Sequence, residues 1–169
     1  GGRTGQYSLR PRALTGYEPM ALNTQTELSP DETDALVGRH ETGVISLARG
    51  DDPYAIPISY GYDPDERTFY LRLVSSPESE KRQFLASAPA ARLVVYEEEA
   101  DTYRSVVAQG QLREIDRDDL SVEHIEQYGE AKRPLFEIWG EEKRDLDIHL
   151  YQLVAETLSG REITVDRDQ

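Results

Sequence analysis

One stretch limits the fold more than any other: GVISLARGDDPYAIPISYGYDPDERTFYLRLV, residues 43–74. It holds three runs rich in β-branched and aromatic residues, 43–50, 54–62 and 67–74. Asp51-Asp52-Pro53 separates the first two, and Asp63-Pro64-Asp65-Glu66 separates the last two. Gaps that short cannot hold a crossover helix, so the three runs predict an antiparallel meander. Pro57 has no N–H to give to a ladder, which puts the second run at an edge, a bulge or a gap. Further on, ARLVVYEEE (91–99) and YRSVVAQGQLREI (103–115) predict a hairpin around Ala100-Asp101. DIHLYQLVAETLSGREI (147–163) predicts a last strand with a turn at Gly160. The fold class expected is mainly β (α+β): six antiparallel strands that close as a small barrel, with peripheral helices.

The helices have their own signals. LSPDETDALVGRHETG offers Ser29 as N-cap, Pro30 at the first helical position and Glu32 to complete a capping box, with Gly38 or Gly43 as the stop. A second helix is expected at 77–87. Two more are expected at 118–129 and 134–143, with Leu120, Ile125 and Tyr128, then Leu135, Ile138 and Trp139, turned inward. Residues 1–20 are Gly- and Arg-rich without periodicity and read as a flexible arm or an added extension; Met20, the one methionine, is a candidate start. The folded domain is expected over 21–165.

Charge then narrows the function classes. The net charge is −14, from 33 acidic and 19 basic residues. Such a surface repels nucleic acid and anionic membranes, so neither is an expected partner. It is the kind of surface that salt-loving organisms use to stay soluble, and a halophilic source is expected. With no cysteine in the chain, disulfides, thiolate catalysis and cysteine-bound zinc are excluded. No apolar run approaches the roughly 20 residues of a membrane span, and residues 1–20 lack an apolar signal core, so a cytoplasmic protein is expected.

Only three of the basic residues are lysines, and Lys81 stands just inside the start of the second helix, followed by Arg82. Ser76 can cap that helix and Pro77 can begin it. Ser75, Ser79, Lys81 and Arg82 could then hold a phosphate with hydroxyls, amides and two cations. The same residues also read as an ordinary capped helix with a Glu78–Arg82 pair one turn apart. His40, His124 and His149 show no metal spacing and read as surface or partly packed side chains. YEEEAD (96–101) reads as an acidic hairpin tip, DRDD (116–119) as a helix start, and Phe136 with Trp139 as a packed helix face.

Taken in order, GVISLARGDDPYAIPISYGYD, TFYLRLVSSPESEKRQFLASAP, YRSVVAQGQLREI and YQLVAETLSGRE resemble the pyridoxamine 5′-phosphate oxidase-like family of FMN-binding split barrels. The resemblance spans about Leu28 to Glu162. It implies a homodimer with flavin in a groove between the subunits. Pro57, Ile58 and Ser59 would touch the flavin ring. Leu71, Arg72 and Leu73 would flank the ring and ribityl chain. Ser79, Lys81 and Arg82 would hold the phosphate, and Ser105, with Val106, would reach in from the partner. FMN is the cofactor implied, with a deazaflavin as the alternative. The function implied is a flavin-dependent oxidoreductase acting on a small-molecule substrate or electron donor. The alternative is a non-catalytic module that stores flavin or holds haem. The chain lacks the additional basic residues and C-terminal stretch of the oxidase proper, so pyridoxamine oxidation is not expected, and Arg72 stands where the family usually has a small polar residue. No residue is singled out as a catalytic acid or base.

Overall fold

The computed structural model describes residues 23–75, 80–87, 89–130 and 147–166. Eight strands and three α-helices lie within them. The strands are β1 (Asn23–Glu27), β2 (Thr42–Arg49), β3 (Asp52–Ser59), β4 (Gly61–Asp63), β5 (Thr68–Ser75), β6 (Ala90–Glu99), β7 (Thr102–Ile115) and β8 (Asp147–Val165). The helices are α1 (Pro30–Arg39), α2 (Glu80–Leu85) and α3 (Val122–Glu130), the last preceded by a 3₁₀ turn at Arg117–Asp119. The helix expected at 134–143, with Leu135, Ile138 and Trp139, lies outside the described residues, as do the arm at 1–20 and Ser76–Ser79.

All pairings are antiparallel, in the order β3-β2-β6-β7-β8-β5-β4, with β1 added along β8. The expected six strands become eight for two reasons. The run 54–62 does not stay one strand: it pairs with β2 up to Ser59 and with β5 from Gly61. Those two pieces lie at opposite ends of the strand order, so the sheet must roll to let one residue, Tyr60, bridge them. The expected meander is therefore interrupted, and β3 and β5 are not paired. The second addition is β1, whose sequence NTQTE carries no apolar signal and pairs only with the end of β8. The rolled sheet is not closed, which makes it a split barrel.

β8 runs 19 residues and gives the expected Gly160 turn no place. Gly160 is instead where α1 approaches the sheet: a Cβ there would lie 2.8 Å from Leu28 Cδ1 and 2.9 Å from Thr33 Oγ1. A register shift at Gln109/Gly110, with Glu156 the extra residue, bends β8 against β7. On β8, Tyr151 and Leu153 face the core before the shift and Gly160 after it, so the inward parity changes from odd to even.

The interior is filled by Ile45, Leu47, Phe69, Leu71, Leu73, Leu93, Val95, Val106, Leu112 and Leu153, all at most 2 % exposed. α2 adds Phe84, stacked on Tyr54 at 5.2 Å, with the Arg49 guanidinium 5.2 Å above its ring. The capping box of α1 forms as its sequence predicts, and α1 buries Leu36 and Val37. α3 buries Tyr128 but leaves Ile125 59 % exposed, against expectation, because only one side of the helix meets the sheet, at β4, β5 and β8.

One carboxylate ties the end of α1 to the sheet. Glu97 of β6 accepts from Arg39 through Nε (3.0 Å) and a second guanidinium nitrogen, from His40 Nε2 (2.5 Å) and from Arg104 of β7 (3.1 Å). Arg104 also donates to Glu162 of β8 at 2.6 Å. These donors, Arg39 first, hold the Glu97 carboxyl down at about 2. A carboxyl depressed on folding stabilises the native state above its unfolded value and loses that contribution as acid protonates it. Glu97→Gln should therefore lower unfolding free energy by about 1–3 kcal/mol. The wild-type excess over the variant should shrink between about pH 4.5 and pH 2, which denaturant unfolding at several pH values would read. Gly110→Ala should lower the unfolding midpoint as well, because its Cβ would lie 2.2 Å from the Val154 carbonyl oxygen, and thermal melts would check it.

Candidate functional site

The split between the two ends of the sheet is lined by backbone that has no strand partner among the described residues. β3 pairs only with β2, and β4 covers β5 only from Thr68 to Tyr70, leaving Leu71–Ser75 without a neighbour on that side. β3 and β5 approach within 8 Å between Cα atoms. The hairpin explains which groups β3 presents. Arg49 pairs with Asp52 across the two-residue turn Gly50-Asp51, with Gly50 at φ +60°, so that pair shares both ladder bonds. Counting outward by twos, Pro53, Ala55, Pro57 and Ser59 turn their backbone groups away from β2 and toward the split. Pro53 and Pro57 thus fall where a missing N–H costs the ladder nothing, and the edge reading of Pro57 holds. The split receives carbonyl oxygens from both prolines and Ala55, and an N–H from Ala55.

The expected site residues distribute as follows. Pro57 is exposed, Ile58 is buried in the core and Ser59 is buried where the chain turns to cross. Leu71 and Leu73 fill the core, and Arg72 between them points to the outside of β5. These two segments lie on opposite sides of the split. Lys81 and Arg82 sit in α2, which follows β5 in the chain. Arg82 acts on Tyr151 of β8, whose phenol burial and Glu114 push up to about 12 while Arg82 draws it down. Ser79 lies outside the described residues. Ser105 is not part of this group within one chain: β2 and β6 separate β7 from β3. Val106 is buried in the core.

Two features escaped the sequence. On the inner wall, His149 Nδ1 lies 2.5 Å from Glu114 Oε1, one pair down from Tyr151. The alternation of His149, Tyr151 and Leu153 carried that signal. On the outer wall, Pro57, Val44, Val94, Val107 and Ser159 stand opposite one another across five strands, all exposed or half-buried and none charged. Beside that row run Tyr96, Ser105 and Arg161, with Tyr96 69 % exposed. This row joins residues far apart in sequence, so only the register reveals it.

A family model described as pyridoxamine 5′-phosphate oxidase matches residues 29–162. No curated protein matches the chain. Among solved structures, a FAD-binding protein from Mesorhizobium loti superposes with a TM-score of 0.62 at 19% identity, covering 84% of this chain and 98% of that one. A FAD-binding protein from Mycobacterium smegmatis gives 0.57 at 18% identity, covering 82% and 98%. A heme-binding protein from Mycobacterium smegmatis gives 0.57 at 15% identity, covering 83% of this chain and 59% of that one. At these identities the likeness is one of fold.

Proposed function

The chain belongs to the pyridoxamine 5′-phosphate oxidase family, and from that membership we propose that it binds a flavin along the split and serves as a flavin-dependent oxidoreductase for a small molecule. The observation that carries this reading is the pair of strand edges without a strand partner among the described residues, β3 at Pro53, Ala55 and Pro57 and the end of β5, with α2 next in the chain. A flavin ring offers hydrogen-bond donors and acceptors along one edge, which suits the carbonyls and N–H that β3 presents. Lys81 and Arg82, with Ser79, would hold the phosphate, a role that matters in a chain of net charge −14 that otherwise repels it. When bound, the flavin would supply the electron transfer; the protein's own part is to hold the ring, shield it and orient the substrate. We take FMN as the cofactor, with FAD and a deazaflavin as the alternatives that mass analysis of the released cofactor separates.

We further propose a homodimer built on the outer row of Pro57, Val44, Val94 and Val107. An uncharged strip is where two strongly acidic copies can meet with least repulsion, and it would bring Ser105 and Tyr96 of one copy toward the other.

The absorption spectrum of protein purified and kept in high salt tests the cofactor. A two-band flavin spectrum is expected; a colourless protein that also fails to take up FMN or FAD overturns the reading, and a Soret band would favour the haem-storing alternative. Lys81→Ala should weaken flavin binding by about 1.5–3 kcal/mol, roughly 10- to 150-fold in Kd. An unchanged titration would remove Lys81 from the site. Val94→Asp should convert a dimer into a monomer in sedimentation; a variant that still dimerises would put the interface elsewhere.

A further inference from the structure

We propose that α3 carries an acid-sensitive start: neutral His124 closes its N-terminal cap, and protonated His124 opens it. The inference does not depend on the flavin reading. Two helices of this chain begin with the same reciprocal pair of hydrogen bonds. At α1, Glu32 N–H donates to Ser29 Oγ (3.2 Å) and Ser29 N–H donates to Glu32 Oε1 (3.0 Å). At α3, Ser121 takes the capping place, its carbonyl accepting from Ile125 N–H at 3.0 Å. His124 N–H donates to Ser121 Oγ (3.1 Å), and Ser121 N–H donates to His124 Nδ1 (3.3 Å). The third helical position is thus a carboxylate in one box and an imidazole in the other.

The difference decides the response to acid. Glu32 keeps its lone pairs well into acid, since the two bonds to Ser29 hold its carboxyl below the usual range. An imidazole has a lone pair on Nδ1 only while it is neutral with its proton on Nε2. In that form Nε2–H meets the end of the Gln152 side chain, whose amide nitrogen stands 3.3 Å away; exchanging that amide's oxygen and nitrogen gives Nε2–H its acceptor. Protonation leaves Ser121 N–H facing another donor. It also puts a positive charge at the positive end of the helix. Both effects loosen the first turn.

The groups around the ring are Tyr70 of β5, at 5.8 Å between ring centres, and neutral Gln152 of β8. Asp63 of β4, Glu66 of the following turn and Glu123 of α3 all act on the same Tyr70, and Tyr128 lies one helical turn on. The three carboxylates attract a cation to this spot, while Ser121 N–H is bonded to the imidazole and to none of them. What the first turn secures is the cover on β5 and β8. Tyr128 packs edge-on to Tyr70 at 5.1 Å and donates to the Tyr151 carbonyl at 2.9 Å.

Amide hydrogen exchange on the full chain tests this, with α1 as the internal reference. From about pH 8 to about pH 5.5, across the range where imidazoles titrate, and after correction for intrinsic rates, opening of 122–130 should rise about tenfold while α1 stays flat. His124→Gln, which supplies an acceptor at every pH, should remove the rise, and His124→Leu should leave α3 open throughout. A flat wild-type profile, or a rise that persists in His124→Gln, overturns the inference.

Discussion

The fold depends on a single-residue crossing. Asp52–Ser59 forms one end of the sheet and Gly61–Asp63 the other, so Tyr60 can join them only if the sheet between is rolled. Tyr60 is fastened on both sides. Its N–H donates to the Glu41 carbonyl at 2.9 Å, and its hydroxyl donates to the Val37 carbonyl at 2.7 Å. Its ring packs edge-on against Phe69 at 5.4 Å, and the next tyrosine, Tyr62, donates to Asp34 of α1 at 2.6 Å. α1 therefore acts as a clasp over the crossing. The Glu97 cluster holds the far end of that clasp to β6, β7 and β8, so the roll, the clasp and the split are parts of one arrangement.

The acidic charge is not spread evenly over this arrangement. Arg39 and Arg104 are spent on Glu97 and Glu162, where they fix structure. Arg49 is spent on Phe84, where it steadies α2 against the β2–β3 hairpin. Lys81 and Arg82, in α2 itself, are the cations that follow the open end of β5. The central row of the outer sheet carries no charge. Arg39, Arg104 and Arg49 thus sit at joints of the fold, and the uncharged row lies on one wall.

Much of this was legible in the sequence, and the failures have physical causes. The strands at 43–50, 67–74, 91–99 and 103–115 announced themselves because one face of each is buried, and α1 did so through Ser29, Pro30 and Glu32. Pro57 correctly marked an edge. The break at Tyr60 was hidden, since YAIPISYGY stays apolar on both sides of it. β1 was hidden because NTQTE pairs by backbone alone. Gly160 misled because a glycine that admits a close neighbour looks in sequence like one that makes a turn; only the contact with Leu28 and Thr33 separates the cases. Ile125 misled because helical periodicity does not say how wide the buried stripe is. At the site, Pro57 and Leu71–Leu73 were named as neighbours on the strength of a resemblance. That they lie toward the two ends of the strand order, on edges without a strand partner among the described residues, is something no local pattern encodes.

The site also shows why such a place is hard to read from side chains. Ile58, Leu71 and Leu73 point into the core and serve by holding two backbone edges apart. What the split offers to a ligand is mostly main chain, and its pattern is set by register. Two prolines spaced four apart remove donors from the open edge and so discourage another strand from adding to it. The carbonyls they leave belong to exposed residues, so water can meet them when nothing else does. A rolled sheet that stops short of closing therefore presents a directed row of solvated acceptors. On the proposed reading, a flat ligand with donors on one edge would take the place of that water without replacing any ladder bond the fold already makes. The roll that lets Tyr60 cross from β3 to β4 is thus also what leaves these two edges without a strand partner among the described residues.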